Sequence, residues 1–134
     1  MVDNAREVAL QSTEWLSAMA IAERSRHRSL DSGTIFHWTA KKQIFAIALK
    51  GVDHFPAYGL REVTQGAVRA IEPKPIMATL IEALGAERSG WRLAEWFASP
   101  NGYLHGKRPL DLLDSEPERV VKAAEFEAKG VQHG

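Results

Sequence analysis

The chain of 134 residues has no cysteine. A disulfide framework, a thiolate nucleophile and a cysteine-based metal site are therefore excluded. It also has no excess of either charge: 17 Lys and Arg balance 17 Asp and Glu. Global electrostatics give no reason to expect a polyanion partner, and any such partner must be met by a local patch. Long apolar runs are missing too. The first ten residues, MVDNAREVAL, lack the apolar stretch of a secretory signal, and nothing approaches the roughly 20 apolar residues of a membrane span. A cytoplasmic location and no membrane partner are the expectation.

Recognisable catalytic chemistry is equally scarce. The five histidines, His27, His37, His54, His105 and His133, form no HxxxH or HExxH pair. No phosphate-binding or dinucleotide-binding glycine pattern occurs, and Ser99 in ASPNG is not in a nucleophile elbow. Glu95 and Asp111 are candidate acids only as any carboxylate is. The expectation is a protein that is not an enzyme and takes no cofactor or metal.

What is present suits one domain, or two small ones sharing a core: 45% apolar and 25% charged residues. Residues 4 to 22 carry Val8, Trp15, Leu16, Met19 and Ala20 at helical spacings, with a break near Ser12 and Thr13, and Thr13 as the cap of the second piece. Asp31 or Ser32 would cap a short helix, GTIFHWTAKKQ, with Ile35 and Trp38 inward. A hairpin follows, with Ile44 to Leu49 and Val52 to Phe55 as strands around Lys50-Gly51. Residues 59 to 75 hold Gly59, Gly66, Pro73 and Pro75 and read mostly as connection, with 61–75 as a linker. Then come helices from Ile76 to Leu84, from Trp91 to Phe97, from Pro109, and from Pro117. The fold class expected is mostly α: a helix-turn-helix-like unit with a hairpin wing over 1–60, a linker over 61–75, and a bundle of short helices over 76–134.

Charge is uneven along this plan. From Arg24 to Lys50, six basic residues (Arg24, Arg26, Arg28, Lys41, Lys42 and Lys50) face one acid, Asp31. Helix, turn, capped helix and basic hairpin tip is the element order of a winged helix-turn-helix. The lysines and arginines would then touch phosphates, and Thr34 and His37 would reach base edges. The alternative is a solvated basic face.

The second half holds WRLAEWFASPNGYLHGKRPLDLLDSEPERVVKAAE. Its helix ends in Trp96 and Phe97. A Pro100-Asn101 turn, Leu104, Gly106, Arg108-Pro109 and the Asp111-Leu112-Leu113 run follow. This pattern, over roughly residues 90 to 125, resembles the toxin-binding domain shared by the Xre/MbcA/ParS antitoxins of type II toxin–antitoxin systems. KKQIFAIALKGVDHFPAYGL is similar to a segment that precedes this domain in some such proteins. One departure is DSEPERVV, where many members carry a glycine before the last helix. The resemblance implies an antitoxin that binds and blocks a partner toxin, often of the NAD-consuming RES class. It further implies repression of its own operon by DNA binding, and a homodimer or higher homo-oligomer. Trp96, Phe97, Pro100, Asn101, Leu104, Gly106, Pro109, Asp111, Leu112 and Leu113 would be scaffold. Tyr103, His105, Lys107 and Arg108, with the last helix, would carry toxin contact. The alternatives are a stand-alone DNA-binding regulator and a protein-interaction module without DNA binding.

Overall fold

The computed structural model describes residues 4–25 and 32–133. The chain opens with helix α1 (Asn4–Gln11), a short strand β1 (Trp15–Ser17) and helix α2 (Ala18–Arg24). The break near Ser12 is where the spacing placed it, because the Ser12 hydroxyl donates to the Ala9 carbonyl (2.7 Å) and closes the helix. The cap of the second piece is Ser17, not Thr13: its hydroxyl accepts from the Ala20 N–H. Helix α3 (Ser32–Ala40) buries Ile35 and Trp38 as expected.

Strands β2 (Ile47–Leu49) and β3 (Val52–Pro56) form the expected hairpin, with Lys50 and Gly51 both at positive φ. Ile44 and Phe45 precede the strand as buried core residues. Strand β1 joins the far side of β3, with Leu16 opposite Phe55, giving the sheet order β1-β3-β2. A 3-10 turn, Ala57–Gly59, leads into β4 (Leu60–Gln65) and β5 (Val68–Pro73), a second antiparallel sheet.

Two expectations are corrected here. The stretch read as a linker over 61–75 is mostly hydrogen-bonded hairpin, held by cross-strand pairs such as Val63 opposite Ala70. Its two-residue loop places Gly66 first, at φ 63, a conformation that glycine adopts without a Cβ clash. The fold is also not mostly α with an N-terminal helix-turn-helix. It is an α+β mixture of six helices and two small antiparallel sheets among the described residues. Part of the segment read as helix is strand, since Leu16 gains burial and a ladder partner by pairing with β3.

The second half comprises α4 (Pro75–Leu84), α5 (Gly90–Ala98), 3-10 turns at Gly102–Leu104 and Pro109–Leu112, and α6 (Pro117–His133). Proline opens α4, the second turn and α6, where its missing N–H has no helical partner to lose. α4 buries Met77, Leu80, Ile81 and Leu84, and α6 turns Val120, Ala123 and Ala124 inward. Two apolar clusters result. One gathers Leu16, Ile21, Ile35, Trp38, Ile44, Phe55 and Leu60. The other joins Ala9, Phe45 and Ile47 to the buried faces of α4, α5 and α6. Residues from before and after position 60 therefore share one core. Among the described residues no helix is long and apolar enough to cross a membrane.

The seam between β2 and α5 closes at Gly90, the first residue of α5, where a Cβ would run into the Ala46 carbonyl oxygen. Backbone cannot yield as a side-chain tip can. Gly90→Ala should therefore lower stability by about 1–3 kcal/mol, the cost of overpacking a fitted contact. Thermal melting reads it: a melting temperature equal to wild type would show that the seam is looser than described.

Candidate protein-docking site

The corner after α5 is tied by one asparagine. The Asn101 N–H donates to the Lys107 carbonyl (3.0 Å), and its own carbonyl accepts from Gly106 (2.8 Å) and Leu104 (3.0 Å). Its side-chain Oδ1 accepts from the Tyr103 N–H (2.9 Å). Asparagine suits this position because its short amide reaches the backbone two residues on. His105 then adopts a left-handed conformation, φ 59, and Gly106 follows at φ 86 to reverse the chain. The Ser99 hydroxyl donates to the Glu95 carbonyl (2.6 Å) and closes the end of α5.

Most scaffold residues expected from the sequence are buried: Trp96, Phe97, Leu104, Pro109, Leu112 and Leu113. Pro100, Gly106 and Asp111 are exposed, and Asn101 is half-buried. The Phe97 ring stacks on Phe45 at 5.7 Å and meets Trp96 edge-on at 5.1 Å. The Trp96 indole N–H is buried without a hydrogen-bond partner among the described residues. The same is true of the Tyr58 hydroxyl in the neighbouring aromatic cluster, and burial pushes its pKa up.

Of the four docking candidates, Tyr103, His105 and Lys107 are exposed. Arg108 is half-buried and engaged: its guanidinium donates twice to the Asp111 carboxylate (2.8 and 3.0 Å). That hydrogen-bonded carboxylate raises the pKa of Arg108. The pair braces the start of the second 3-10 turn, so Arg108 has a structural task besides any contact with a partner.

Phe126 completes the site and was missed from sequence. It lies on α6, off the buried Val120, Ala123 and Ala124 stripe, and is 62% exposed. Its ring lies 5.5 Å from that of Tyr103, itself 42% exposed. The helical phase of α6 could have flagged it, since a large aromatic on the polar face has no packing reason to be there. The two rings border an open groove of about 730 Å³, lined also by Arg88, Arg92, Glu95 and the buried Trp96. Arg88 reaches Glu127 across it at 3.8 Å. The groove holds apolar surface, donors and acceptors together.

The residues expected to meet DNA fall on several elements. Arg26 and Arg28 lie outside the described residues, as does the Asp31 cap. Arg24 is exposed on α2 but donates to both oxygens of Glu14 (3.2 and 2.7 Å), whose pKa the pair lowers. His37 is exposed on α3, Lys41 and Lys42 follow that helix, and Lys50 sits at the β2–β3 turn. Thr34 is exposed on the first turns of α3.

Comparison of the chain with models of known protein families, with curated proteins and with solved structures finds no match. The class that the geometry defines is an α+β protein with a structured corner beside an open, aromatic-edged groove.

Trp96 separates scaffold from surface. Trp96→Ala should cost roughly 3–5 kcal/mol, as for a buried tryptophan, whereas Lys107→Ala should stay within about 0.5 kcal/mol. Chemical denaturation of both variants reads the contrast. A Trp96→Ala chain as stable as wild type would move the corner from core to interface.

Proposed function

We propose that this chain is an antitoxin-type binding protein. It holds a partner toxin against the Tyr103–Phe126 edge of the groove, with His105 and Lys107 on the rim. The observation that carries this reading is the division of labour at the corner. The motif residues that resemble the antitoxin family are largely consumed in packing, while two large aromatics beside them stay exposed and in contact with each other. Aromatic side chains supply large contact area at low entropic cost, and exposed clusters of them mark interaction surfaces more often than chance packing. The groove beside them combines aromatic edges with arginine and glutamate, a composition suited to a protein surface.

The basic residues before Lys50 lend this reading less. Among the described residues, Arg24 is paired with Glu14, and the exposed Lys41, Lys42 and Lys50 are spread over two connections. The proposal therefore names a protein partner and not DNA.

The test is co-purification with the product of the neighbouring reading frame, followed by titration. The Tyr103→Ala/Phe126→Ala double variant should bind at least about ten-fold more weakly, the loss expected when an aromatic anchor worth more than 1 kcal/mol is removed. Its melting temperature should stay near that of wild type, because Tyr103 is 42% and Phe126 62% exposed and neither belongs to the buried core. A double variant that binds like wild type, or a neighbouring product that does not bind at all, would sink the reading.

A further inference from the structure

The β4–β5 hairpin has one covered edge and one open edge. On the β5 side, the Ile71 N–H donates to the Ser25 hydroxyl at 3.2 Å, so it points away from β4. In an antiparallel ladder the residue opposite behaves alike, and the direction alternates along the strand. Glu62 is opposite Ile71. The backbone N–H and C=O groups of Leu60, Glu62 and Thr64 therefore point outward from β4. The Leu60 N–H is taken by the Ala57 carbonyl, whereas the outward groups of Glu62 and Thr64 have no backbone partner among the described residues. β4 is six residues long, while the edge strands β1 and β2 of the other sheet have three each. Its sequence, LREVTQ, contains no proline, and its two charged residues, Arg61 and Glu62, are each paired within the hairpin.

We propose that β4 pairs antiparallel with β4 of a second copy of this chain, with Val63 opposite Val63 on the two-fold axis. Charge selects both the partner and the register. A two-fold axis perpendicular to the sheet keeps the faces matched and lets outward groups meet outward groups. Centring the axis on Arg61 sets two arginines opposite each other, and centring it on Glu62 sets two glutamates opposite each other. Like charges in those positions are unfavourable. Centring it on Val63 puts Glu62 opposite Thr64 and brings two apolar side chains together. Val63 then occupies a non-hydrogen-bonded pair, in which side chains approach most closely. Val63 and Val68 are 37% and 41% exposed in the single chain and stand on the same face of the hairpin. The charges of β4 are already answered at home. Arg61 pairs with Glu72, and Arg69 with Glu62, at 2.7 and 2.8 Å. Self-pairing therefore leaves neither charge seeking a partner. The outcome is a continuous four-stranded sheet across the axis, where a lone two-stranded hairpin is marginal. This inference is independent of the toxin reading, because the hairpin and the corner are different surfaces.

The absence of cysteine makes the test clean, since one introduced thiol is the only thiol. Light scattering of wild type at tens of micromolar should give the mass of two chains, and Val63→Arg should give one chain with unchanged circular dichroism. Under mild oxidation, Val63→Cys should crosslink about ten-fold faster than Glu62→Cys, because only residues on the axis come within the roughly 7 Å Cα limit of a disulfide. Melting under reducing conditions confirms that each cysteine variant is folded before it is oxidised. A monomeric wild type overturns the proposal. So does a dimer that survives Val63→Arg, or crosslinking no faster at position 63 than at 62.

Discussion

The Phe97 ring is the contact on which the rest of the structure depends. It stacks nearly parallel on Phe45 (14°), lies 5.3 Å from the Tyr58 ring, and meets Trp96 in a T-shaped arrangement. Trp15 approaches Phe45 and Tyr58 from β1, with ring centroids at 6.2 and 6.3 Å. Each aromatic pair adds about 0.5–1.5 kcal/mol beyond the area it buries. The consequence is topological as well as energetic. Trp15, Phe45 and Tyr58 come from the first sheet and its connections, whereas Trp96 and Phe97 come from α5. One ring cluster thus joins the two halves of the sequence. The Arg6 guanidinium over Trp91, 4.7 Å from its centroid, repeats the link between α1 and α5.

With the end of α5 fixed in this way, the corner has little freedom. Trp96 and Phe97 before Asn101, and Leu104, Pro109, Leu112 and Leu113 after it, are buried, and the main-chain N–H and C=O and the side-chain Oδ1 of Asn101 are all engaged. The residues left outside, Tyr103 and Lys107, are held on a rigid frame rather than on a loose loop. α6 supplies Phe126 from the neighbouring face, and the Val120, Ala123 and Ala124 stripe sets its direction. The surface proposed to meet a partner is therefore prepared before binding, which spares much of the ordering cost of association.

Legibility of the fold tracked periodicity and turn chemistry. α4 announced itself through Leu80, Ile81 and Leu84 with Gly85 behind them, and the Lys50-Gly51 turn announced the first hairpin. β1 was missed because three residues are too few to show alternation, and Trp15-Leu16 also fits a helical stripe. The β4–β5 hairpin was missed for a different reason. Glycine and proline near Gly59, Gly66, Pro73 and Pro75 look like connection, although Gly66-Ala67 between alternating residues is itself a hairpin signal. Burial of the corner was legible from Trp96, Phe97 and the leucines. The groove was not, because the Tyr103–Phe126 contact joins residues far apart in sequence through the packing of α6, which no local pattern records.

The central claim is that the Phe97 cluster makes one cooperative unit out of β2–β3 and the helices α4 to α6. Native-state hydrogen exchange in rising urea, resolved by peptide, tests it directly. The account predicts that amides of Ile47–Pro56, Pro75–Leu84 and Gly90–Ala98 become exchangeable through a single opening of the same free energy. Opening of the β2–β3 amides at distinctly lower urea, with α4 and α5 still protected, would contradict it.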